Sequence, residues 1–320
     1  MRVGFSNYYR SLDPIIFESP NAPIGDELLL PFNVLGKTGK ERGIEFVPLR
    51  DGLDLSGLDA VLFSDYPDRT LPAIEAIFKT ALPLYLITWE CPIIRPENWT
   101  SDHSRFSRIF TWSDALIPLG PPYVKLNFSQ RFSNHPEPRH SPPGFIAMFG
   151  SNKSSSQPGE LYSARLAAIT WFERHHPQAL DFFGPGWDWR VHPCYSGVVV
   201  SKRRALRNYR FSICYENAVG FPGYITEKIF DCFITGCVPV YLGASNVTDH
   251  IPRECFIDVR TCVPVEILNG DLSKIYEHLE AMTEAERWRY VQAAQSFIHS
   301  EAARPFTIDY FVETILGALT

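Results

Sequence analysis

Three consecutive polar residues, Thr226, Glu227 and Lys228, open the otherwise apolar segment "TEKIFDCFITG" (226–236). Thr226 is suited to cap a helix, its hydroxyl accepting an N–H of the first turn. Ile229, Phe230, Phe233 and Ile234 then fall on one buried stripe, and Gly236 suits the helix end. The first turn of a helix carries partial positive charge and attracts anions. A lysine there is disfavoured by roughly a few tenths of a kcal/mol. Its use would be to hold an anionic ligand such as a diphosphate, with Glu227 accepting hydrogen bonds from ligand hydroxyls. The plain alternative is a pair of solvated first-turn charges.

Glu90 is a second candidate. It ends the very apolar run "LYLITWE" (84–90), and Pro92 stops that run. A carboxylate so placed costs solvation unless it faces a cleft. Partial desolvation would raise its pKa and suit it to act as a general base near neutral pH. An exposed loop glutamate is the alternative, and Glu97 is the competing carboxylate nearby. Arg165, in the amphipathic segment "GELYSARLAAITWFERHH" (159–176), follows the strand "FIAMFGSN" (145–152), which ends in Ser151 and Asn152. By position it could reach the same crevice; otherwise it is a surface arginine.

The elements that would position these residues alternate. "RVGFSNYY" (2–9), "IEFVPL" (44–49), "AVLFSD" (60–65), "LYLITWE" and "RIFTWS" (108–113) read as strands, with "TLPAIEAIFKT" (70–80) at helical spacing between two of them. The proline-rich stretch "FSNHPEPRHSPPG" (132–144) reads as a linker. The rhythm then restarts with "FIAMFGSN", "LDFFGPGW" (180–187), "ALRNYRFSICYEN" (205–217), "VPVYLG" (238–243) and "CFIDV" (255–259), followed by a helical tail over roughly 273–299 and "PFTIDYFVETILGAL" (305–319). The fold class expected is α/β, in two doubly wound domains. The divisions are residues 1–142, residues 143–304, and a terminal helix at 305–320 that packs onto a domain, with a return to the first half as one option. Ligands of open α/β sheets bind outside the carboxyl ends of the strands. The strand ends of the second half carry Ser151, Asn152, Asn217, Ser245 and Asn246.

Composition narrows the classes. The net charge of −6 argues against general nucleic-acid binding. No apolar run reaches the roughly 18 residues of a membrane span. The first residues, "MRVGFSNYYR", read as a strand rather than a signal peptide, and the seven cysteines show no CxxC pair and read as buried thiols. Together these point to the cytosol, with a peripheral position at the inner membrane face as the other option. There is no GxGxxG after a strand, no phosphate loop, no GxSxG elbow, no histidine pair at metal-ligand spacing and no Asp-x-Asp clamp. A bound nucleotide diphosphate would therefore be neutralised by side chains and helix N-termini, with no metal required.

The stretch 209–259, "YRFSICYENAVGFPGYITEKIFDCFITGCVPVYLGASNVTDHIPRECFIDV", closely resembles the signature region of the α-1,3/4-fucosyltransferases, glycosyltransferase family ten. Tyr-basic-Phe, Phe-Glu-Asn (with Tyr215 for Phe), Tyr-Ile-Thr-Glu-Lys, Pro-Val-x-x-Gly and Pro-x-x-x-Phe-Ile follow in order. "SNKSSSQPGELYSARLAAITWF" resembles the family's preceding Ser-Asn…Arg segment, and "WECP" its first-domain Glu-Ser-Pro, with Cys91 for Ser. The resemblance implies a soluble, bacterial-type member of GT-B type, with two facing Rossmann-like domains and the active site in the cleft between them. It implies transfer of L-fucose from GDP-fucose, with inversion, to an acceptor oligosaccharide or surface glycan, with no tightly bound cofactor. It also implies roles: Glu90 as the base, Ser151, Asn152 and Arg165 facing the donor phosphates, Asn217 and Tyr224 lining the donor pocket, Glu227 on donor hydroxyls and Lys228 on a phosphate. Asn217 to Glu227 is one residue longer than in bacterial relatives. A relative using another sugar nucleotide, and a catalytically silent nucleotide- or glycan-binding module, stay open beside this reading.

Overall fold

The computed structural model of the chain describes residues 1–22, 25–49, 55–262 and 270–319. They divide into two compact units, Met1–Gln130 with Pro305–Thr320, and Arg131–Arg304. In the first unit, β1 (Arg2–Asn7), α1 (Leu30–Glu41), β2 (Glu45–Pro48), β3 (Ala60–Ser64), α2 (Pro72–Phe78), β4 (Leu84–Thr88), α3 (Glu97–Thr100), β5 (Phe106–Thr111) and β6 (Tyr123–Lys125) follow in turn. The six strands form one sheet in the order β2-β1-β3-β4-β5-β6, every pairing parallel. Alternation along each strand sends side chains to opposite faces. Leu62, Tyr85 and Ile87 therefore join Phe32 and Leu35 on one face, while Val61, Phe63, Leu84 and Leu86 join Ile74, Ile77 and Phe78 on the other. A parallel sheet needs both faces covered.

The second unit contains β7 (Gly144–Phe149), α4 (Tyr162–His175), β8 (Leu180–Phe183), α5 (Lys202–Leu206), β9 (Tyr209–Tyr215), α6 (Glu227–Thr235), β10 (Val238–Leu242), β11 (Ile257–Asp258), α7 (Val259–Cys262), α8 (Ser273–Ala281) and α9 (Glu284–Ile298). Its five strands run parallel in the order β11-β10-β9-β7-β8. Ile146, Met148, Phe211, Ile213, Val240 and Leu242 of the sheet pack with Ala168 and Phe172 of α4 and Ile275 and Leu279 of α8. The helical tail expected over 273–299 is two helices. Met282 leaves α8 in extended backbone, and Thr283 restarts α9 with a reciprocal capping box to Glu286.

The units meet the expected α/β architecture, but the division falls at Gln130/Arg131 rather than 142/143. Residues 131–142 are tied to the second unit through their carbonyls. Arg207 donates to Pro136 O and Glu137 O (2.7 and 2.9 Å), and fully buried Arg287 to His140 O (2.6 Å) and Gly236 O (3.1 Å). Gly236 ends α6 in left-handed backbone (φ 73°), and a Cβ there would sit 2.3 Å from Pro138 Cβ. Both facts demand glycine. The last helix, α10 (Ile308–Leu319), belongs to the first unit, where Phe311, Ile315 and Leu316 pack with Phe32 and Leu35.

Cys91, Cys194, Cys214, Cys232, Cys237 and Cys255 are buried, and none of them is in a disulfide. No helix among the described residues is long and apolar enough to cross a membrane.

Candidate active site

In the second unit the strand order reverses between β7 and β9, the switch point at which open α/β sheets bind ligands. Arg165 of α4 is 6% exposed and reaches the end of β9. Its Nη2 donates to Tyr215 O (2.7 Å), Glu216 O (2.6 Å) and Asn217 Oδ1 (3.0 Å). Burial pulls its pKa down, offset in part by the Glu216 charge, and an arginine remains a cation.

Glu216 follows β9 directly and is fully buried. It accepts from Thr226 N (2.8 Å), Thr226 Oγ1 (2.7 Å) and Lys228 Nζ (3.2 Å). Thr226 caps α6 as its sequence indicates, its hydroxyl accepting from Lys228 N. Lys228 is also 3.0 Å from Thr226 Oγ1 and 3.6 Å from Glu227 Oε1. Lys202 of α5 lies 3.7 Å from Glu227 and 2.8 Å from Asp231, which Arg203 Nε also meets at 2.7 Å.

The charges set one another. At Glu227, burial opposes ionisation but is outweighed by Lys228 and Lys202, which bring its pKa down to about 2. Burial works against both ammonium groups, yet Asp231 and Glu227 raise Lys202, and Glu227 and Glu216 raise Lys228. Arg165, Lys202, Arg203 and Lys228 stand against Glu216, Glu227 and Asp231, so one positive charge is in excess. The cluster is therefore fit to receive an anion.

Arg165, Asn217, Glu227 and Lys228 thus converge, with Asn217 Nδ2 3.5 Å from the Tyr224 hydroxyl. Tyr224, expected to line the donor pocket, is itself 1% exposed. Its burial follows from its place between the Gly223 turn and the α6 cap. Ser151 and Asn152 lie past β7, where a Cβ on Gly150 would be 3.8 Å from Arg165 Nη1. Asn152 is exposed and bonds Gly186 O (3.1 Å), on the β8 side of that end.

In the first unit the reversal lies between β1 and β3. Glu90, two residues past β4, is half-buried. The Tyr9 hydroxyl donates to its Oε1 at 2.5 Å. Its backbone N–H donates to Asp65 Oδ1 (3.0 Å). Asp65 is 3% exposed, and burial, then the Glu90 charge, push its pKa up to about 7. Glu97, the competing carboxylate, is half-buried and pairs with Arg95 at 3.3 Å.

Sequence reasoning missed Asp65, Tyr9, Glu216, Lys202 and Asp231. Asp65 and Glu216 carry the same signal as Glu90, a carboxylate next to the end of an apolar strand. Lys202, at the start of a five-residue helix, carries none. Among the described residues no group of three or more His, Cys, Asp and Glu side chains is arranged to hold a metal ion.

Two parallel-sheet α/β units, one presenting a cation-rich switch point, define the class of protein built like the GT-B glycosyltransferases. Residues 149–308, half of the chain, match glycosyltransferase family 10 (fucosyltransferase), C-terminal region, and the chain belongs to this family. It is 31% identical over 99 residues to a putative fucosyltransferase-like protein of Arabidopsis thaliana, covering 31% of this chain and 19% of that one. It is 36% identical over 61 residues to the α-(1,3)-fucosyltransferase FucT of Helicobacter pylori, covering 19% and 13%. The matched stretches are thus well under two thirds of either relative. A crystal structure of an α1,3-fucosyltransferase with GDP-fucose superposes with a TM-score of 0.58 at 14% identity, covering 100% of this chain and 90% of that one. HepE of Anabaena in complex with UDP-glucose gives 0.56 at 13%, covering 100% and 99%. At these identities the likeness is one of fold.

Proposed function

We propose that this chain is an inverting fucosyltransferase. It moves L-fucose from GDP-fucose to a hydroxyl of an acceptor glycan, in α-1,3 linkage to the GlcNAc or Glc of a lactosamine- or lactose-type unit. The observation that carries this reading is the Arg165–Glu216–Asn217–Glu227–Lys228 cluster, within the family-10 region at the switch point of the second unit.

In this reading the Glu90 carboxylate takes the proton of the acceptor hydroxyl. The hydroxyl oxygen bonds to the fucose anomeric carbon as that carbon's bond to the β-phosphate oxygen breaks, and GDP carries away the electron pair. Direct displacement requires a base on the acceptor and charge stabilisation on the leaving group. Lys228 and Arg165 meet the departing diphosphate, Ser151 and Asn152 lie at its edge, and Asn217 orients the donor above the buried Tyr224. Glu227, held ionised by its two lysines, accepts from donor hydroxyls. These cations supply the charge that a metal would otherwise bring.

Thermal unfolding against a donor panel tests the reading, because a ligand that binds only the folded state raises the midpoint by mass action. GDP and GDP-fucose should raise it and UDP-glucose should not. No response to GDP or GDP-fucose overturns the reading, and a larger response to another sugar nucleotide replaces fucose as the donor sugar.

A further inference from the structure

Three neighbouring strands of the first unit end on one small constellation. Tyr9 lies two residues past β1, Asp65 one past β3 and Glu90 two past β4, and these strands are adjacent in the sheet. The unit's switch point therefore holds two carboxyl groups and a phenol.

Asp65 is an unusual residue at an unusual place. Its backbone is left-handed, φ 63°, although it has a side chain. Such a conformation is sparsely populated by residues with a Cβ and persists where the surroundings enforce it. Here Asp65 N donates to Ile87 O (2.7 Å), keyed to β4. The turn aims the side chain across the next strand end. Oδ1 accepts from Trp89 N (2.7 Å), Glu90 N (3.0 Å) and Asn98 Nδ2 (2.7 Å). Asn98, fully buried, completes the frame by bonding Glu90 O (3.1 Å) through Nδ2 and Tyr66 N (2.6 Å) through Oδ1. The backbone of Glu90 is thus held from both its N–H and its C=O.

Tyr9 holds the other end. Its hydroxyl donates to Glu90 Oε1, which distinguishes the two oxygens of that carboxylate. Burial, then the Glu90 charge, raises the phenol pKa above its ordinary value, so Tyr9 keeps its proton and remains a donor. A hydrogen bond to the charged form steadies a carboxylate and fixes its plane.

We propose that Asp65 and Tyr9 are positioning residues for Glu90, Asp65 clamping the backbone that carries it and Tyr9 aiming its carboxylate. This rests on the assignment of Glu90 as the base. Asp65→Gly removes the clamp without backbone strain, because glycine accepts φ 63°. Asp65→Asn keeps an Oδ1 in place for all three N–H donors, and asparagine tolerates the left-handed region. Tyr9→Phe removes only the hydroxyl.

Two readouts test the proposal, hydrogen–deuterium exchange at the Trp89 and Glu90 amides and steady-state transfer with GDP-fucose. In Asp65→Gly the two amides should lose protection and kcat should fall about 10²-fold, the scale of a misplaced catalytic group. Its KM for GDP-fucose should stay within about twofold, because uniform binding of the donor is untouched. Asp65→Asn should restore both protection and kcat. Tyr9→Phe should lower kcat about tenfold at unchanged donor KM and unchanged amide protection. Wild-type kcat in either Asp65→Gly or Tyr9→Phe overturns the proposal, as does an Asp65→Asn variant as impaired as Asp65→Gly. A wild-type protein that turns over no GDP-fucose contradicts the proposed function itself. Unchanged amide protection in Asp65→Gly would overturn the clamp whether or not the protein transfers fucose.

Discussion

The Lys228 ammonium lies 3.2 Å from the Glu216 carboxylate, an acid with no exposed surface. Glu216 is the residue immediately after β9, and Lys228 is in the first turn of α6. The pair joins a strand end to a helix start at the switch point. It also explains why a lysine tolerates the positive end of a helix, because three oxygens from Glu216, Thr226 and Glu227 surround it. Lys228→Ala should therefore have two effects. It should weaken GDP binding by about ten- to a hundredfold, the equivalent of one charge-assisted contact. It should also destabilise the chain by ~3 kcal/mol, because the buried Glu216 carboxylate loses its ammonium partner and keeps the Thr226 N–H and hydroxyl. Calorimetric titration with GDP and urea unfolding check the two effects, and unchanged GDP affinity would return Lys228 to a purely structural role.

Glu90→Gln keeps the size of the side chain and its ability to accept from Tyr9. It removes the proposed base. Transfer should fall by about 10²–10⁴-fold while GDP affinity is unchanged. Transfer near the wild-type rate would move the base elsewhere.

The depressed pKa of Glu227 has a defined sign. The folded value is about 2 against an ordinary 4.5. A carboxylate depressed on folding contributes stability that is present above the unfolded value and lost as pH falls through the folded one. Wild-type stability should therefore decline between pH 4.5 and about 2. Glu227→Gln should decline less steeply over the same window, as read from urea midpoints at each pH. A variant with an unchanged slope would show that Lys228 and Lys202 do not act on Glu227.

Phe311 connects the last helix to the first unit. It is fully buried, 5.6 Å edge-on to Phe32 and 5.8 Å stacked with Trp89, the residue before Glu90. Phe311→Ala should cost ~3–5 kcal/mol, the usual range for emptying a buried aromatic site. Chemical denaturation measures it.

Much of this organisation was legible from residue pattern. The cap at Thr226, the stripe through Phe233 and the stop at Gly236 obey local rules, and the structure keeps all three. Most β-strands of the two sheets are apolar runs bounded by turn residues; β6, three half-buried residues ending in Lys125, is not. Helix α1 was not legible, because Gly36 and Gly39 lower its intrinsic propensity, whereas Pro31 sits in the first turn, where proline is tolerated. Packing reverses that. A Cβ on Gly36 would stand 3.0 Å from Phe17 and one on Gly39 2.9 Å from Phe46, so the glycines admit the helix to the sheet. The site was half legible. Glu90, Arg165, Glu227 and Lys228 stand at recognisable positions, but their partners do not. The links from Tyr9 to Glu90, from Asp65 to Glu90 and from Lys202 to Asp231 cross 81, 25 and 29 residues of chain respectively, and only strand order brings them together. The linker assigned to 132–144 looked independent for the same reason: the arginines that hold it, Arg207 and Arg287, are remote in sequence.

The proposed reaction is the transfer of fucose from GDP-fucose to a glycan hydroxyl. Incubation of the purified chain with GDP-fucose and N-acetyllactosamine, followed by NMR of the product and measurement of released GDP, tests it most directly. The expected product carries an α-linked fucose on O3 of the GlcNAc, with one GDP released for each fucose transferred. A β-linked product, or GDP-fucose left unbound and unconsumed in the presence of a panel of lactose- and lactosamine-type acceptors, would contradict it.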